Sequence, residues 1–288
     1  MAVASPEIVF HLAAQALVRP SYDEPVVTFE TNVMGSVNLL EAVRQTPGVR
    51  AVVNVTSDKC YENREWEFAY RENDALGGHD PYSASKGAAE IITDAYRRSF
   101  FSDPSGPAVA TGRAGNVIGG GDWALDRIIP DCVRALTAPD PLVVRNPDAV
   151  RPWQHVLEPV SAYLWLASRL FMEGHSFEGS WNFGPLSGGN LTVREIVNSM
   201  IAEWGSGEWT GPPPGTGTVH EARTLKLDCA KAFDILRWRP TWTAVVALRE
   251  TALWYRRVHE GESATQLTRE CLAAYTGAAR ASGVAWVG

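Results

Sequence analysis

Short apolar runs alternate with amphipathic stretches along the amino-terminal part of the chain. Runs at about 7–12, 51–56 and 108–113 have the length and composition of buried strands. Apolar positions at helical spacing cover about 27–44 and about 81–100. This βαβαβ order predicts a parallel sheet with helices on both faces, which is a doubly wound, Rossmann-like α/β fold.

The pattern is less regular elsewhere. The segment at 20–25 predicts a loop, and shorter elements follow residue 117. We therefore divide the chain into a Rossmann-like domain at 1–117 and a smaller mixed α/β domain at 118–288, some of whose segments return to the sheet. The later helices are predicted at about 127–136, 159–172, 192–204, 229–236, 244–258 and 265–275, and extended pieces near 142–145, 151–157 and 180–184.

The composition is typical of a globular protein. The 288 residues are 45% hydrophobic and 20% charged. A net charge of −7 and a pI near 5.4 argue against nucleic-acid binding, which needs clustered Lys and Arg. No stretch reaches the roughly 18 consecutive apolar residues of a membrane-spanning helix. No basic segment precedes an apolar run at the amino terminus, so we expect a cytoplasmic protein without a signal peptide.

The cysteines give no sign of a zinc site or a disulfide framework. The chain has four of them, far apart and without C-x-x-C spacing: Cys60, Cys132, Cys229 and Cys271. This pattern is typical of reduced thiols. We predict no metal site.

Tyr82 and Lys86 form the most informative pair of residues. They lie four positions apart at the start of a predicted helix, so both side chains project from one face. A nearby ammonium favours the phenolate and is expected to lower the pKa of Tyr82. Such a phenol can take a proton from a sugar hydroxyl while a nicotinamide takes the hydride. The alternative is a pair of exposed helix residues, since both types are common there.

Polar side chains also follow the ends of two predicted strands. Ser57, Asp58 and Lys59 come after the second strand, and Asn116 follows the third. Catalytic groups of parallel sheets gather at the carboxyl ends of the strands. Alcohol oxidation alone needs neither the carboxylate nor the amine, so the stretch indicates further acid–base chemistry, unless it is a solvated turn.

These residues are similar to the extended short-chain dehydrogenase/reductases, and specifically to the nucleotide-sugar 4,6-dehydratases. The resemblance covers essentially the whole chain. Its motifs are His11–Gln15, Asn32–Ala42, Tyr82–Lys86, Gly112–Val117, Trp181–Pro185, His220–Ala222 and Leu225–Asp228. Within the family, the stretch from Thr56 to Tyr61 resembles the enzymes that act on CDP-glucose, whereas those acting on dTDP-glucose carry Thr-Asp-Glu there.

The resemblance implies an NAD-dependent lyase. It implies transient oxidation of C4 by bound NAD, loss of water across C5–C6 and hydride return to C6, giving CDP-4-keto-6-deoxyglucose. Tyr82, assisted by Ser57 and Lys86, would take the proton from the 4-hydroxyl. Asp58 would protonate the departing 6-hydroxyl, and Lys59 or a group near it would remove the C5 proton. The implied NAD-binding residues are Leu12, Ala13, Ala14, Gln15, Thr56, Tyr82, Lys86 and Arg113.

The resemblance also implies a nucleotide-sugar site and an association surface. Asn116, Arg127, Arg145 and Arg151 are the candidates for the nucleotide diphosphate, because arginine binds phosphate in a bidentate manner. Helices near 28–44 and 83–100 would build a homodimer. An alternative hypothesis is that the chain is a nucleotide-sugar epimerase of the same family.

One family feature is absent from the sequence. No G-x-G-x-x-G fingerprint occurs, and the chain begins almost directly on a strand. Relatives would begin with about two more βα units, which carry the pyrophosphate loop. We therefore expect either a start upstream of Met1 or a truncated product. In the second case the chain is an inactive remnant or a non-catalytic association partner.

Overall fold

The computed structural model describes residues 1, 3–138, 141–186, 189–212 and 224–287, so the predicted motif His220–Ala222 lies outside it. The strands are β1 (Ile8–His11), β2 (Ala51–Val55), β3 (Ala108–Ala114), β4 (Val117–Ile118), β5 (Leu142–Val143), β6 (Val150–Pro152), β7 (Gln154–His155), β8 (Gly179–Phe183), β9 (Asn190–Thr192) and β10 (Trp209–Thr210). The helices are α1 (Val18–Asp23), α2 (Pro25–Phe29), α3 (Gly35–Arg44), α4 (Pro81–Phe100), α5 (Ile128–Leu136), α6 (Leu157–Glu173), α7 (Val193–Trp204), α8 (Ala230–Asp234), α9 (Ala244–His259) and α10 (Ala264–Ala281).

A parallel sheet with strand order β1-β2-β3-β8 forms the centre of the fold. Its register pairs Val9 with Val52, and Val52 with Val109. Helices α3 and α4 cover one face, while α6 and α8 lie on the other. The predicted doubly wound α/β fold is confirmed, and β8 joins the sheet although it follows residue 117.

The two faces of the sheet follow the alternation of side chains along each strand. Val52 and Val109 pack towards α3 and α4 with Leu40 and Phe101. The alternate positions pack under α6 with Trp181 and Trp238, and they include Ala51, Val53, Ala108 and Ala110. The same alternation continues to the carboxyl ends of the strands, where it directs polar side chains.

A second core lies in the carboxyl-terminal part. Residues of α5, α7 and α9 form it, with Ile196, Met200 and Trp254 among its buried members. The short strand pairs β4–β7, β5–β10 and β6–β9 surround it. The division of the chain at residue 117 stays a prediction, because α6 and β8 pack with the amino-terminal strands.

Two predicted elements differ in the structure. The expected loop at 20–25 is mostly helical, because α1 covers Val18–Asp23 and α2 begins at Pro25. Pro20 is tolerated in α1 because the first helical turn has no intrahelical partner for its N–H groups. The expected continuous helix at 27–44 is α2 and α3 joined by a π-helical turn at Glu30–Met34. Asn32 in that turn is buried. Its side chain points inward because it forms hydrogen bonds with the backbone of Gln15, in the loop after β1.

Candidate active site

A cavity of about 540 Å³ opens at the carboxyl ends of β2 and β3. Thr56, Ser57, Asp58, Lys59 and Tyr82 line it together. The structure therefore brings the predicted strand-end residues and the predicted tyrosine to one place. Their catalytic roles stay predictions.

The turn after β2 fixes the carboxylate and the amine. Ser57 caps a short 3-10 turn at Asp58–Cys60: its Oγ accepts from the Lys59 N–H at 3.2 Å and donates to Asp58 Oδ1 at 3.1 Å. Asp58 is only 3% exposed. Burial raises the pKa of its carboxyl group, while Lys59, the Ser57 hydrogen bond and Arg151 oppose the rise. A carboxyl group in this setting holds a proton more readily than an exposed one.

Helix α4 presents Tyr82 at its first turn. Asp80 caps the helix by accepting from the Ser83 N–H at 2.9 Å, and the Tyr82 N–H donates to Ser21 Oγ at 3.2 Å. Burial raises the pKa of the Tyr82 phenol to about 12, the Asp58 carboxylate adds to the rise, and Ser57 and Arg127 lower it. The lower pKa expected from the sequence is thus wrong for this structure: desolvation dominates, and the groups that oppose it are Ser57 and Arg127 rather than Lys86.

Lys86 lies at the junction of α4 and β2, next to Val55, which lines the cavity. Its side chain is buried, and its Nζ donates to the backbone oxygen of Val55 at 3.4 Å. Burial lowers the pKa of the amine to about 8, against the opposing charge of Glu90. The group is therefore mainly an ammonium at neutral pH.

The loop that follows β1 lies at the same edge of the sheet. Leu12 is 55% exposed, and the buried Asn32 anchors Gln15 through both its backbone N–H, at 2.8 Å, and its backbone oxygen, at 2.9 Å. Asn32 also donates to Ser85 Oγ at 2.8 Å, which connects this loop to α4. The predicted cofactor contacts of Leu12, Ala13, Ala14 and Gln15 remain predictions.

Arg113 does not fit the predicted cofactor role. Its side chain is 2% exposed and forms an ion pair with Glu90 at 2.7 Å. It also donates to Tyr61 Oη and Ser180 Oγ, each at 2.8 Å. Alternation along β3 directs Thr111 and Arg113 towards α4 and away from the cavity. Glu90, the partner that fixes this orientation, was missed in the sequence.

Arginines line the mouth of the cavity. Arg127 pairs with Asp122 at 3.1 Å, and Arg145 pairs with Asp126 at 2.9 Å. Arg19 of α1 pairs with Asp126 at 3.3 Å and was missed in the sequence, because its neighbour Pro20 indicated a loop. The structure thus adds one cation to the predicted set.

The predicted Arg151 and Asn116 also line the cavity. Arg151 is 8% exposed and its Nη1 donates to the backbone oxygen of Val150 at 2.8 Å. A second cavity of about 270 Å³ shares Arg151, Asp58 and Lys59 with the first. These three side chains therefore line both cavities.

Comparison with known proteins identifies the family. The family model described as GDP-mannose 4,6 dehydratase matches residues 1–251. The chain belongs to this family. It is 51% identical over 262 residues to the CDP-glucose 4,6-dehydratase of Salmonella typhimurium, covering 89% of this chain and 72% of that relative. The family predicted from the sequence is confirmed.

Solved structures of this dehydratase family and its neighbours share the fold. The dTDP-glucose 4,6-dehydratase of Bacillus anthracis in complex with NAD is 25% identical with a TM-score of 0.71, over 88% of this chain and 74% of that one. MoeE5 in complex with UDP-glucose and NAD is 27% identical with a TM-score of 0.76, over 88% and 80%.

Neither a metal site nor a membrane-spanning helix is found among the described residues. No group of three or more His, Cys, Asp or Glu side chains there could hold a metal ion. None of the helices in that part of the chain has the length and apolar character needed to cross a membrane.

Proposed function

We propose that this chain dehydrates CDP-glucose to CDP-4-keto-6-deoxyglucose. The observation that carries the proposal is the placement of Asp58 and Lys59 beside Tyr82 in one cavity of a chain 51% identical to a CDP-glucose 4,6-dehydratase. A 4-epimerase, which related chains are named for, needs hydride transfer at C4 and proton transfer at the 4-oxygen, but no acid for a leaving group. The buried carboxyl group of Asp58 gives this site an acid for a leaving hydroxyl.

NAD is the cofactor that the site fits. The buried Lys86 makes one long hydrogen bond to Val55 among the described residues, at 3.4 Å, which leaves ammonium donors for the hydroxyls of a ribose. The loop at 12–15, in which Leu12 and Ala13 are exposed, lies at the carboxyl edge of the sheet, where dinucleotides bind in such folds. When bound, NAD supplies a reversible two-electron acceptor for the transient oxidation of C4.

Tyr82 and Ser57 act on the 4-hydroxyl of the sugar. Tyr82 accepts the hydroxyl proton as C4 is oxidised, and Ser57 holds the oxygen. The Ser57 hydrogen bond and the Arg127 cation are the groups that favour the Tyr82 phenolate against the effect of burial. The product keeps its 4-ketone, so Tyr82 passes this proton to solvent, and Asp58 takes one up from solvent before the next turnover.

Asp58 and Lys59 carry out the loss of water. The 4-ketone acidifies the C5 proton, which Lys59 or a group near it removes. Asp58 donates its proton to the departing 6-hydroxyl, so that one water leaves. The C5 position then regains a proton as the electrons return to C6. Asp58 suits the acid step because its burial raises the carboxyl pKa.

The nucleotide diphosphate is assigned to the arginines at the cavity mouth. Arg127 and Arg145 are paired there with Asp122 and Asp126, and Arg19 shares Asp126. A diphosphate carries two negative charges and suits the guanidinium geometry, so it can replace these carboxylates as the partner of the arginines. Arg151 and Asn116, deeper in the cavity, are assigned to the phosphate nearest the sugar.

The test is turnover of CDP-glucose by the purified chain with added NAD. We expect a product lighter by one water, with a new methyl signal in its proton NMR spectrum. Tyr82→Phe should lower kcat at least about 100-fold, since it removes the general base. Tyr96→Phe, on the same helix outside the cavity, is the matched control. A product of unchanged mass would indicate an epimerase, and a folded chain without turnover would indicate a non-catalytic protein.

The proposal includes a homodimer in the cytoplasm. The helical segments near 28–44 and 83–100 carry exposed apolar side chains, including Met34 and Ile91, as a four-helix interface requires. Cys60, Cys132 and Cys229 are buried free thiols, and Cys271 is a half-buried one, which suits a reducing compartment.

A further inference from the structure

Three residues of α4 face the end of β2. Lys86, Glu90 and Thr93 follow i, i+4, i+7 spacing, so they form one stripe along the helix. Thr93 Oγ1 accepts from Asn54 Nδ2 at 2.8 Å, and Lys86 Nζ donates to the Val55 oxygen. This stripe therefore binds consecutive residues of β2.

Glu90 makes the central contact of the stripe. Its Oε1 accepts from Thr56 Oγ1, the residue directly before Ser57. Its Oε2 accepts from Thr111 at 2.8 Å, Arg113 at 2.7 Å and Ser180 at 3.0 Å. The carboxylate is thus held by Thr56, directly after β2, and by side chains from β3 and β8, and the residue is only 3% exposed.

We propose that Glu90 is a positioning residue of the active site, acting through Thr56 and through Lys86. Its bond to Thr56 fixes where the catalytic stretch Ser57–Lys59 leaves β2, relative to Tyr82 on α4. Its negative charge keeps the Lys86 ammonium charged one helical turn away. This inference rests on the proposed function for the roles of Ser57–Lys59, Tyr82 and Lys86.

The charged and titratable groups around Lys86 support the electrostatic half of this role. Glu90 and Cys60 raise the pKa of Lys86 against a larger lowering by burial. His11 at the end of β1 also faces it, and its own pKa is lowered by burial and by Lys86. Burial raises the pKa of the Cys60 thiol well above its usual value. At neutral pH, Glu90 is therefore the charged neighbour that stabilises the ammonium.

A second contact between α4 and β2 allows a purely structural role for Glu90 to be tested. The Asn54–Thr93 hydrogen bond joins the same helix to the same strand, at 2.8 Å and with both residues buried, but away from the cavity. Removing either contact weakens the α4–β2 interface. Only the Glu90 contact should alter catalysis.

The experiment uses Glu90→Gln, with Thr93→Val as the matched control. Removing one partner of a buried ion pair destabilises a protein strongly, so Glu90→Gln alone could unfold the chain. The double variant Glu90→Gln/Arg113→Met removes both charges and keeps the volume, which often preserves stability. Unfolding in urea gives the folded fraction of each variant before kinetics.

We expect kcat to fall at least tenfold in Glu90→Gln and to stay low in the double variant. KM should change less than twofold, because Glu90 does not line the cavity. The alkaline limb of the kcat profile should move to lower pH, since Lys86 loses its stabilising anion. Thr93→Val should keep the kcat and pH profile of the parent despite a loss of stability.

A second readout is independent of the substrate. The chain has four lysines, Lys59, Lys86, Lys226 and Lys231, so NMR titration of labelled lysine side chains can resolve them. Lys86→Met assigns the Lys86 signal. We expect that signal to titrate at lower pH in Glu90→Gln than in the parent, and to be unmoved in Thr93→Val.

The outcomes separate this inference from the proposed function. A parent chain that does not dehydrate CDP-glucose contradicts the proposed function, while the lysine titration still decides the electrostatic role of Glu90. An unchanged Lys86 titration, parent kcat in folded Glu90→Gln, or recovery of kcat with stability in the double variant would each refute the positioning role.

Discussion

Lys86 is a residue whose proposed role in this site comes at the expense of stability. Its side chain is 6% exposed, and desolvation lowers the pKa of its amine from 10.5 to about 8. The folded chain thus holds the ammonium less favourably than the unfolded chain does. An apolar side chain of similar length would avoid this cost, but it could not donate to a ribose hydroxyl.

We predict that Lys86→Met raises the free energy of unfolding at pH 7 by about 1–3 kcal/mol and abolishes turnover. Between pH 8 and 10.5 the unfolded chain of the parent binds the proton more tightly than the folded chain, so parental stability rises with pH. The stability advantage of Lys86→Met over the parent should therefore be smaller at about pH 9.5 than at pH 7. Urea unfolding of both proteins at the two pH values measures it, and a gap independent of pH would contradict the prediction.

The sequence predicted the positions of those site residues that follow from helical spacing or from the end of a strand. Tyr82 and Lys86 follow from helical spacing, and Ser57–Lys59 follow from the end of an apolar run. Glu90 was missed because a glutamate on an amphipathic helix is usually solvated, and only the packing of α4 on the sheet buries it. The alternation of side chains along β3 could have predicted that Arg113 points towards α4, since Val109 and Thr111 lie on the same face of the strand.

At the scale of elements, close approach between β3 and β6 shapes the site. Gly115 directly follows β3, and a Cβ there would lie 2.6 Å from Pro152 Cγ and 3.1 Å from Asp58 Oδ2. Without a side chain at this position, the backbone after β3 approaches the Asp58 carboxyl group. Such contacts depend on how two elements cross, which neither strand reveals by its own pattern.

Gly115→Ala should therefore affect both stability and catalysis. Pro152 is rigid, so we expect a loss of about 1–3 kcal/mol in the free energy of unfolding. We also expect a lower kcat, because the new Cβ would press on the Asp58 carboxyl group and displace it. Gly35→Ala in α3 is the control: its Cβ would meet nothing within 4 Å, and it should stabilise the chain by about 0.5–1 kcal/mol. Equal kcat in both variants would argue against tight placement of Asp58.

The boundaries of elements were predictable only in part, for a related reason. The spans of α4 and of the sheet strands follow from hydrophobic periodicity and from Pro81 at the helix start. Helix α1 and the π-helical turn do not follow from it, because both depend on tertiary hydrogen bonds. Ser21 in α1 accepts from the Tyr82 N–H, and Asn32 in the turn bonds Gln15.

At the scale of the whole molecule, exposed apolar side chains lie on the helices of one face of the sheet. Val26 is 66% exposed and Ile91 60%, and Val27, Phe29 and Met34 are also exposed. Helices α2 and α3 each contact α4, so these side chains belong to adjoining surfaces. Apolar patches of this kind on otherwise polar surfaces commonly mark an interface between subunits.

We predict that Ile91→Glu converts the proposed dimer into a monomer. A carboxylate in a four-helix interface would be buried without a partner. Burying it there costs far more free energy than placing it on a surface exposed to water. Leu164→Glu is the matched control, because Leu164 on α6 is similarly exposed, at 57%, but lies on the opposite side of the sheet. Sedimentation velocity at several concentrations gives the mass of each variant. A parent chain that is monomeric at every concentration, or an Ile91→Glu variant that still dimerises, would refute this interface, since the two helices would then expose their apolar residues for another reason.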